Sequence, residues 1–447
     1  MTRTEVPSPA APASPRRGLL LIGVAIVLTG LNLRTAVNSV GPLLQEVEAG
    51  LGLSSALAGL VTSMPVLCFA AIGFAGPALV ARFRDGHVLA GSLLAMAAGL
   101  VLRSAAGSVG LFLLGTVLAM GGGALGNVLL PSLVKRYFPH RTGLLVGAYT
   151  GAMATGGAVA SVSAAPIAAA TGADGWRWGL GVWAVTALIG ALPWLFVPSR
   201  PHAEGGPHPR VPMRALRHSP LAIALAVFFG VLGLESYVII GWSAQYLRDS
   251  GMSAAQAGLL LGLATLVVIP VNLGVPALVV RSGWQRPLLV GFVCCYVVGW
   301  GGLALAPLTT TWVWMLALGL SMGSFAMVLT LIGLRARTAE TTAALSTVVQ
   351  GWGYLLAGVG PLLVGVLRGI TGGYTGMFLL VGVGVAVLAG SGWLVTRPRY
   401  VDDEVPGWSS RPQSGDAPGT GDLLETAGVE PPAHAPVSPE RGGSPSA

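Results

Sequence analysis

Twelve apolar runs, each near the ~20 residues that carry a helix across a bilayer core, follow one another along the chain with only short polar breaks. They lie at about 18–44, 55–80, 87–106, 109–133, 142–170, 178–197, 219–245, 253–280, 287–306, 311–334, 339–367 and 374–396, and are numbered spans 1 to 12. In lipid every backbone N–H and C=O must be satisfied within its own segment, so each run is expected to be a helix. The fold class that follows is all-α integral membrane, with twelve transmembrane helices. Only 9% of the 447 residues are charged, against roughly 25% in soluble proteins, which argues against any water-exposed domain of ordinary composition. The 66 glycines keep no three-residue period, so they point to close helix packing and not to collagen.

Charge and cysteine usage exclude other classes. The basic residues behind the net charge of +8 are scattered singly or in pairs, so no nucleic-acid patch is expected. Cys68, Cys294 and Cys295 stand in apolar runs without CxxC or Cys/His spacing, which gives no disulfide framework, no metal site and no cofactor. The run from Gly18 continues past the length of a signal core without a small-residue cleavage site, so no cleavable leader is expected. Residues 1–17 are rich in Pro, Ser and Ala, residues 397–447 combine Pro, Gly, Ser and acids without periodicity, and both read as disordered tails.

Basic loops are retained in the cytoplasm. One side of the alternation collects eighteen Arg and Lys between Arg3 and Arg399, and the other has only Arg103, Arg177, Arg248 and Arg368. Both termini and the loop at 198–218 are therefore expected in the cytoplasm, with the chain multi-pass in the cytoplasmic membrane. That loop, the longest polar interruption, divides an N-terminal six-helix bundle at 18–197 from a C-terminal one at 219–396. The halves echo each other: Ser54-Ser55-Ala56-Leu57-Ala58-Gly59-Leu60 opens span 2, and Ser253-Ala254-Ala255-Gln256-Ala257-Gly258-Leu259 opens span 8, 199 residues later. A parallel repeat of six helices is one way to build a site between two halves.

Polar side chains inside the spans are costly in hydrocarbon and mark wet surfaces. Away from helix ends the ionisable and amide side chains are Asn32, Arg34 and Asn38 in span 1, Asn127 in span 4, Glu235 in span 7, Asn272 in span 8 and Gln350 in span 11, while spans 3, 6, 9 and 12 show none of these and are expected to face lipid. On a continuous helix Arg34 lies sixteen residues beyond Gly18, ~24 Å along the axis, with Asn38 one turn further on the same face. Arg34 either snorkels to the interface or holds a planar anion or polar solute through two parallel hydrogen bonds. Asn32, offset by roughly 200° from Arg34 at 3.6 residues per turn, is assigned with Asn272 to structural bracing. Glu235, the lone acid within a span, sits at the same depth as Arg34 and near the equivalent place in the repeat. It is either structural, as an ion pair with Arg34 or as a protonated acid bonded to a backbone group, or the proton-coupling group.

Glycines cluster at 121–123 and 126 in span 4, at 147, 151, 156 and 157 in span 5, and at 351, 353, 358 and 360 in span 11, which fits either tight packing or hinging. Tyr149 and Gln350 stand in matching relation to the glycines of the two halves. With Tyr354 they are candidates for the cavity wall, a core role being the alternative for the tyrosines. The candidate solute-binding set is Arg34, Asn38, Asn127, Tyr149, Gln350 and Tyr354.

Twelve helices in two halves resemble the major facilitator superfamily. The stretch Asn32-Leu33-Arg34 through Ser39-Val40-Gly41-Pro42, with Gly126-Asn127-Val128-Leu129-Leu130-Pro131, Lys135-Arg136, Phe138-Pro139, Tyr149-Thr150, Gln350-Gly351, Gly353-Tyr354 and Gly360-Pro361, is similar to its cyanate and 2-nitroimidazole permease subfamily. The resemblance covers about 18–396 and implies a major facilitator fold. It also implies secondary active transport of a small polar or anionic solute by alternating access, by a monomer. Two departures stand out: Ala81-Arg82 lacks the acidic residue usual before the basic one, and Val117 stands where proton-coupled members commonly carry arginine. Coupling by protons would then fall to Glu235. The alternatives are a proton-driven exporter of drugs or metabolites, and an integral membrane enzyme. The enzyme fares poorly because all six histidines lie in loops or tails and no nucleophile–base pair is visible.

Overall fold

The computed structural model describes residues 15–82, 85–138, 141–197 and 216–405. The tail expected at 1–17 falls outside these residues as far as 14, as do most of the 198–218 linker and everything beyond 405. Pro15 opens the first helix, Pro15–Asn32, where a missing N–H costs nothing.

Among the described residues, twelve helical segments long and apolar enough to cross a membrane occupy the expected stretches, with bounds shifted by several residues. Local signals set their starts. Ser54 and Ser253, the equivalent serines of the repeat, each accept a backbone N–H three residues on, from Leu57 at 3.3 Å and from Gln256 at 3.3 Å. Ser108 does the same for Leu111 at the head of span 4. Spans 1–6 pack largely among themselves and spans 7–12 likewise, and the halves meet mainly where span 2 lies on span 11 and span 5 on span 8. Those seams need small residues. A Cβ at Gly59 would stand 2.9 Å from the carbonyl oxygens of both Pro361 and Leu362, and a Cβ at Gly365 would stand 2.7 Å from the Gly59 Cα, so neither backbone position admits a side chain.

Span 1 departs most from expectation. It extends over Gly18–Leu51 but is not one helix: Pro15–Asn32, Thr35–Asn38 and Leu44–Leu51 are separated by Leu33-Arg34 and by a 3₁₀ turn at Gly41–Leu43. Pro42 has no N–H to continue the ladder. At Gly41 a Cβ would come within 2.6 Å of the Ile240 carbonyl oxygen, so the break is pressed against span 7. The continuous-helix depth for Arg34 is therefore superseded, although Asn38 does sit one turn from it, its N–H donating to the Arg34 carbonyl at 2.9 Å.

The third-helix rule also needs correction. Spans 6, 9 and 12 present Leu192, Phe196, Val297, Leu379 and Val383 outward, as a lipid face requires. Their inner faces are polar at chosen points, however. Thr186 and Trp194 of span 6 bond Asn32 and Thr29, Trp300 of span 9 bonds Glu235, and Arg103 of span 3 is wholly buried and donates to the Ala36 carbonyl at 3.1 Å.

The segment after span 12, expected to be disordered from 397, is ordered as far as Val405. Val401 and Val405 are buried and three acids fasten the ends of other spans. Glu404 accepts from Ser219 Oγ at 2.5 Å and from the Leu221 N–H at 2.9 Å, capping span 7. Asp402 accepts from Thr341 Oγ1 at 2.7 Å beside the start of span 11, and Asp403 pairs with Arg337 at 2.9 Å. Truncation after Arg399 is expected to lower stability by about 1 kcal/mol for each lost cap, whereas truncation after Val405 leaves the thermal midpoint in detergent unchanged. Equal midpoints for the two truncations would show that these contacts contribute nothing.

Candidate solute-binding site

The break in span 1 delivers Arg34 to the seam between the halves. Its guanidinium carbon lies 5.7 Å from the centroid of the Tyr237 ring of span 7, within cation–π range. Tyr354 of span 11 is close enough to interact electrostatically with both Arg34 and Tyr237. Behind them is an aromatic wall: Tyr354 meets Phe229 at 5.0 Å and Phe69 at 5.8 Å, and Phe229 meets Phe325 at 5.3 Å between ring centroids. Gly157 of span 5 leaves the room Arg34 and Asn38 occupy, since a Cβ there would stand 3.1 Å from the Arg34 Cβ and 2.9 Å from Asn38 Nδ2. Asn38 donates across the seam to Thr265 Oγ1 of span 8 at 3.4 Å, while its Oδ1 is buried without a partner.

No carboxylate of the described residues comes within ion-pair distance of Arg34. The ion pair with Glu235, one of the alternatives, is not made. Glu235 lies on the opposite face of span 7 from Tyr237, wholly buried, with Oε2 accepting from Trp300 Nε1 at 2.7 Å. The repeat placed the two charges at one depth but said nothing of which face each occupies.

The remaining candidates divide. Tyr354 joins Arg34. Tyr149 is buried with its backbone against Gly30 of span 1, and Gln350 donates within its own helix to Ser346 Oγ at 2.6 Å. Asn127 is half-buried on span 4, next to the Gly126 that packs on Leu33. Asn32 exchanges hydrogen bonds with Thr186, donating to its carbonyl at 3.0 Å and accepting from its hydroxyl at 2.7 Å, whereas Asn272 has a buried Oδ1 with no partner. Tyr237, Phe229 and Phe69 were missed, because aromatic residues in apolar helices carry no mark that separates a cavity wall from a core.

On one side of Arg34 the halves are locked together. Arg248 makes a two-pronged pair with Glu46 at 2.6 and 2.7 Å and donates to the Pro42 carbonyl at 2.8 Å. Arg368 reaches Glu48 at 3.1 Å and Asp249 at 3.0 Å. Tyr374 donates to Asp249 at 2.6 Å, and burial together with that neighbouring carboxylate holds its pKa above the ordinary phenol range. The space left between Val37, Val40, Thr62 and Tyr237 is about 10 Å³, room for about one water. The hydrogen bonds and ion pairs seen between the halves, Arg248–Glu46, Arg248–Pro42, Arg368–Glu48, Arg368–Ser55 and Asn38–Thr265, lie at this end or at its threshold.

Residues 20–361 match the model of the Major Facilitator Superfamily. The chain belongs to that superfamily. Within it, the chain is 35% identical to the 2-nitroimidazole transporter of Escherichia coli (strain K12), over 83% of this chain and 93% of that one. It is 30% identical to the cyanate transport protein CynX of the same organism, over 78% and 91%. Among solved structures it superposes on a bacterial homolog of the human lysosomal transporter Spinster with a TM-score of 0.69 at 18% identity, covering 87% of this chain and 98% of that one. This superfamily member is thus a multi-pass membrane transporter and not an enzyme.

Proposed function

We propose that this transporter moves a small planar polar or anionic solute, cyanate-like or nitroimidazole-like, across the cytoplasmic membrane by alternating access. The observation that carries the reading is Arg34: a cation at the seam of two halves, lacking a carboxylate partner among the described residues and lying over the ring of Tyr237. A guanidinium presents parallel N–H donors to a planar acceptor, and aromatic faces suit a flat solute. The two solutes named among the relatives, 2-nitroimidazole and cyanate, share small size and hydrogen-bond acceptor atoms. Binding of labelled cyanate, 2-nitroimidazole and simple carboxylates to the purified protein tests the solute class, and indifference to all of them would remove it.

The charge count sets the orientation, with both termini and the 198–218 loop in the cytoplasm. The four arginines of the opposite side are all committed to fixed partners: Arg103 to Ala36, Arg177 to the Ser104 and Ala106 carbonyls, Arg248 to Glu46 and Arg368 to Glu48. The locked end then faces outward and the solute enters or leaves on the cytoplasmic side. A reporter active only outside the cytoplasm, fused after Arg399, is expected to be silent, and one inserted at Gly50 active; the reverse pattern overturns the orientation.

The coupling group in this reading is Glu235, the one acid wholly buried among the described residues, which takes a proton. Glu235→Gln keeps the shape and fixes the neutral form, so uphill uptake driven by a pH gradient is expected to fail while exchange of solute between pools persists. Continued accumulation by Glu235→Gln would rule out that role.

A further inference from the structure

Arg34 is set at the seam by a piece of chain too short to hold itself. The helix Thr35–Asn38, with Arg34 at its head, has four residues. Its own ladder amounts to Asn38 N–H donating to the Arg34 carbonyl at 2.9 Å and Ser39 N–H to the Thr35 carbonyl at 3.2 Å. Isolated helices far longer than this are marginal, so fastenings from other spans decide where it sits. The next carbonyl, that of Ala36, would accept from Val40 in a continuing helix. Val40 N–H donates instead to the Val37 carbonyl at 3.3 Å, and the Ala36 carbonyl is left to side chains.

Arg103 takes it. From span 3, 67 positions further along the chain, its Nη1 donates to the Ala36 carbonyl at 3.1 Å. The competing fastenings are longer: Ser39 Oγ stands 3.5 Å from the same oxygen, and Ser161 Oγ of span 5 reaches the Asn38 carbonyl at 3.4 Å while also donating to the Gly157 carbonyl at 3.1 Å. A hydrogen bond from a charged donor is stronger than a neutral one, so Arg103 is the main hold on the turn. Its base is fixed as well, because a Cβ at Gly115 would stand 2.6 Å from the Arg103 backbone nitrogen, which leaves spans 3 and 4 in backbone contact there. Arg103 is wholly buried, and no carboxylate of the described residues pairs with it. Its Nε and Nη2 have no hydrogen-bond partner among the described residues. A buried cation with two donors unmet costs stability. Stability therefore does not account for an arginine at this place; the carbonyl it holds does.

We infer that Arg103 is a positioning residue: it fixes the Thr35–Asn38 turn against span 3 and through that turn sets Arg34 over Tyr237. It acts through Arg34 and not on the solute. Its effect on solute binding rests on the reading of Arg34 as the solute-binding cation, whereas its hold on the turn does not. A positioning group at 103 needs one donor at the Ala36 carbonyl, which lysine supplies; at 34 the planar fork is needed, and lysine lacks it. Methionine at 103 is long enough to fill the space but has no donor, so it releases the turn.

The test is made on the purified full chain in detergent, with Arg103→Met and Arg103→Lys beside the parent. Hydrogen–deuterium exchange over residues 33–43, followed by mass spectrometry, is expected to quicken about tenfold or more in Arg103→Met, as loss of a charged hydrogen bond implies. Binding of labelled solute should weaken by about tenfold for the same reason. Arg103→Lys should stay close to the parent in both. The unfolding midpoint of Arg103→Met should be unchanged or raised, because an uncompensated buried cation gives way to an apolar chain. Arg103→Gln, neutral and too short to reach Ala36, carries the same expectations for exchange and binding if Arg103→Met fails to fold. Unchanged exchange at 33–43 without the arginine overturns the hold. A lowered midpoint with unchanged solute affinity makes Arg103 structural only and overturns the positioning role. Faster exchange in Arg103→Met, where the parent itself binds none of the labelled solutes, upholds the hold on the turn and removes Arg34 as the solute-binding cation.

Discussion

Arg34→Lys is expected to reduce solute affinity about tenfold to a hundredfold, matching the ~1.5–3 kcal/mol of a hydrogen bond to a charged group, while the protein still inserts and folds. Lysine keeps the charge but not the planar fork, and its ammonium cannot make two parallel bonds to one flat solute while lying over Tyr237. Arg34→Ala should lose more, since no other cation of the described residues is placed beside Tyr237 and Tyr354. The measurement is equilibrium binding of labelled solute to purified variants whose unfolding midpoints match the parent. Unchanged affinity in both variants would return Arg34 to the snorkelling role and move the site elsewhere.

A comparable effect is expected from Gly365→Leu, through conformation and not through contact with solute. Spans 2 and 11 touch backbone to backbone at Gly59 and Gly365 when the outward end is locked. A side chain there forces the helices apart, and overpacking of this kind costs about 1–3 kcal/mol, which shifts a two-state equilibrium about five- to 150-fold toward the state that relieves it. Val40, 4% exposed beneath the locked end, reports the shift. A cysteine at that position, in a chain with Cys68, Cys294 and Cys295 replaced by serine, should react with a membrane-impermeant maleimide from outside far faster once Gly365→Leu is present. Transport should fall in parallel, because the cycle must pass through the locked state. Equal labelling rates with and without Gly365→Leu would mean that this seam does not open in the cycle.

The architecture was legible because bilayer thickness and hydropathy are local properties. Twelve spans, the capping serines 199 residues apart and the six-plus-six division need no knowledge of distant contacts. The break in span 1 was also written locally, in Gly41-Pro42, yet the run of apolar residues around it reads as one helix until the Ile240 carbonyl pressing on Gly41 is seen. Glu235 shows where the sequence stops speaking: its depth could be counted, but the choice between facing Arg34 and facing Trp300 depends on a residue 65 positions away. Arg103 was hidden by its place at a helix end, where arginine is ordinarily solvated; only the fold reveals that it turns inward to the Ala36 carbonyl. Asp402, Asp403 and Glu404 were lost in an average, since a few ordered residues at the head of a long Pro- and Ser-rich tail do not alter its composition.

The direct test of a solute transporter centred on Arg34 is counterflow in proteoliposomes, with labelled cyanate, 2-nitroimidazole and simple carboxylates outside and excess unlabelled solute within. At least one of these planar solutes should show transient, saturable accumulation that Arg34→Lys suppresses and that needs no imposed gradient of ions. If the folded protein exchanges none of them, or exchanges one of them equally well with Arg34→Lys, the assignment of Arg34 and its aromatic wall as the solute site is contradicted.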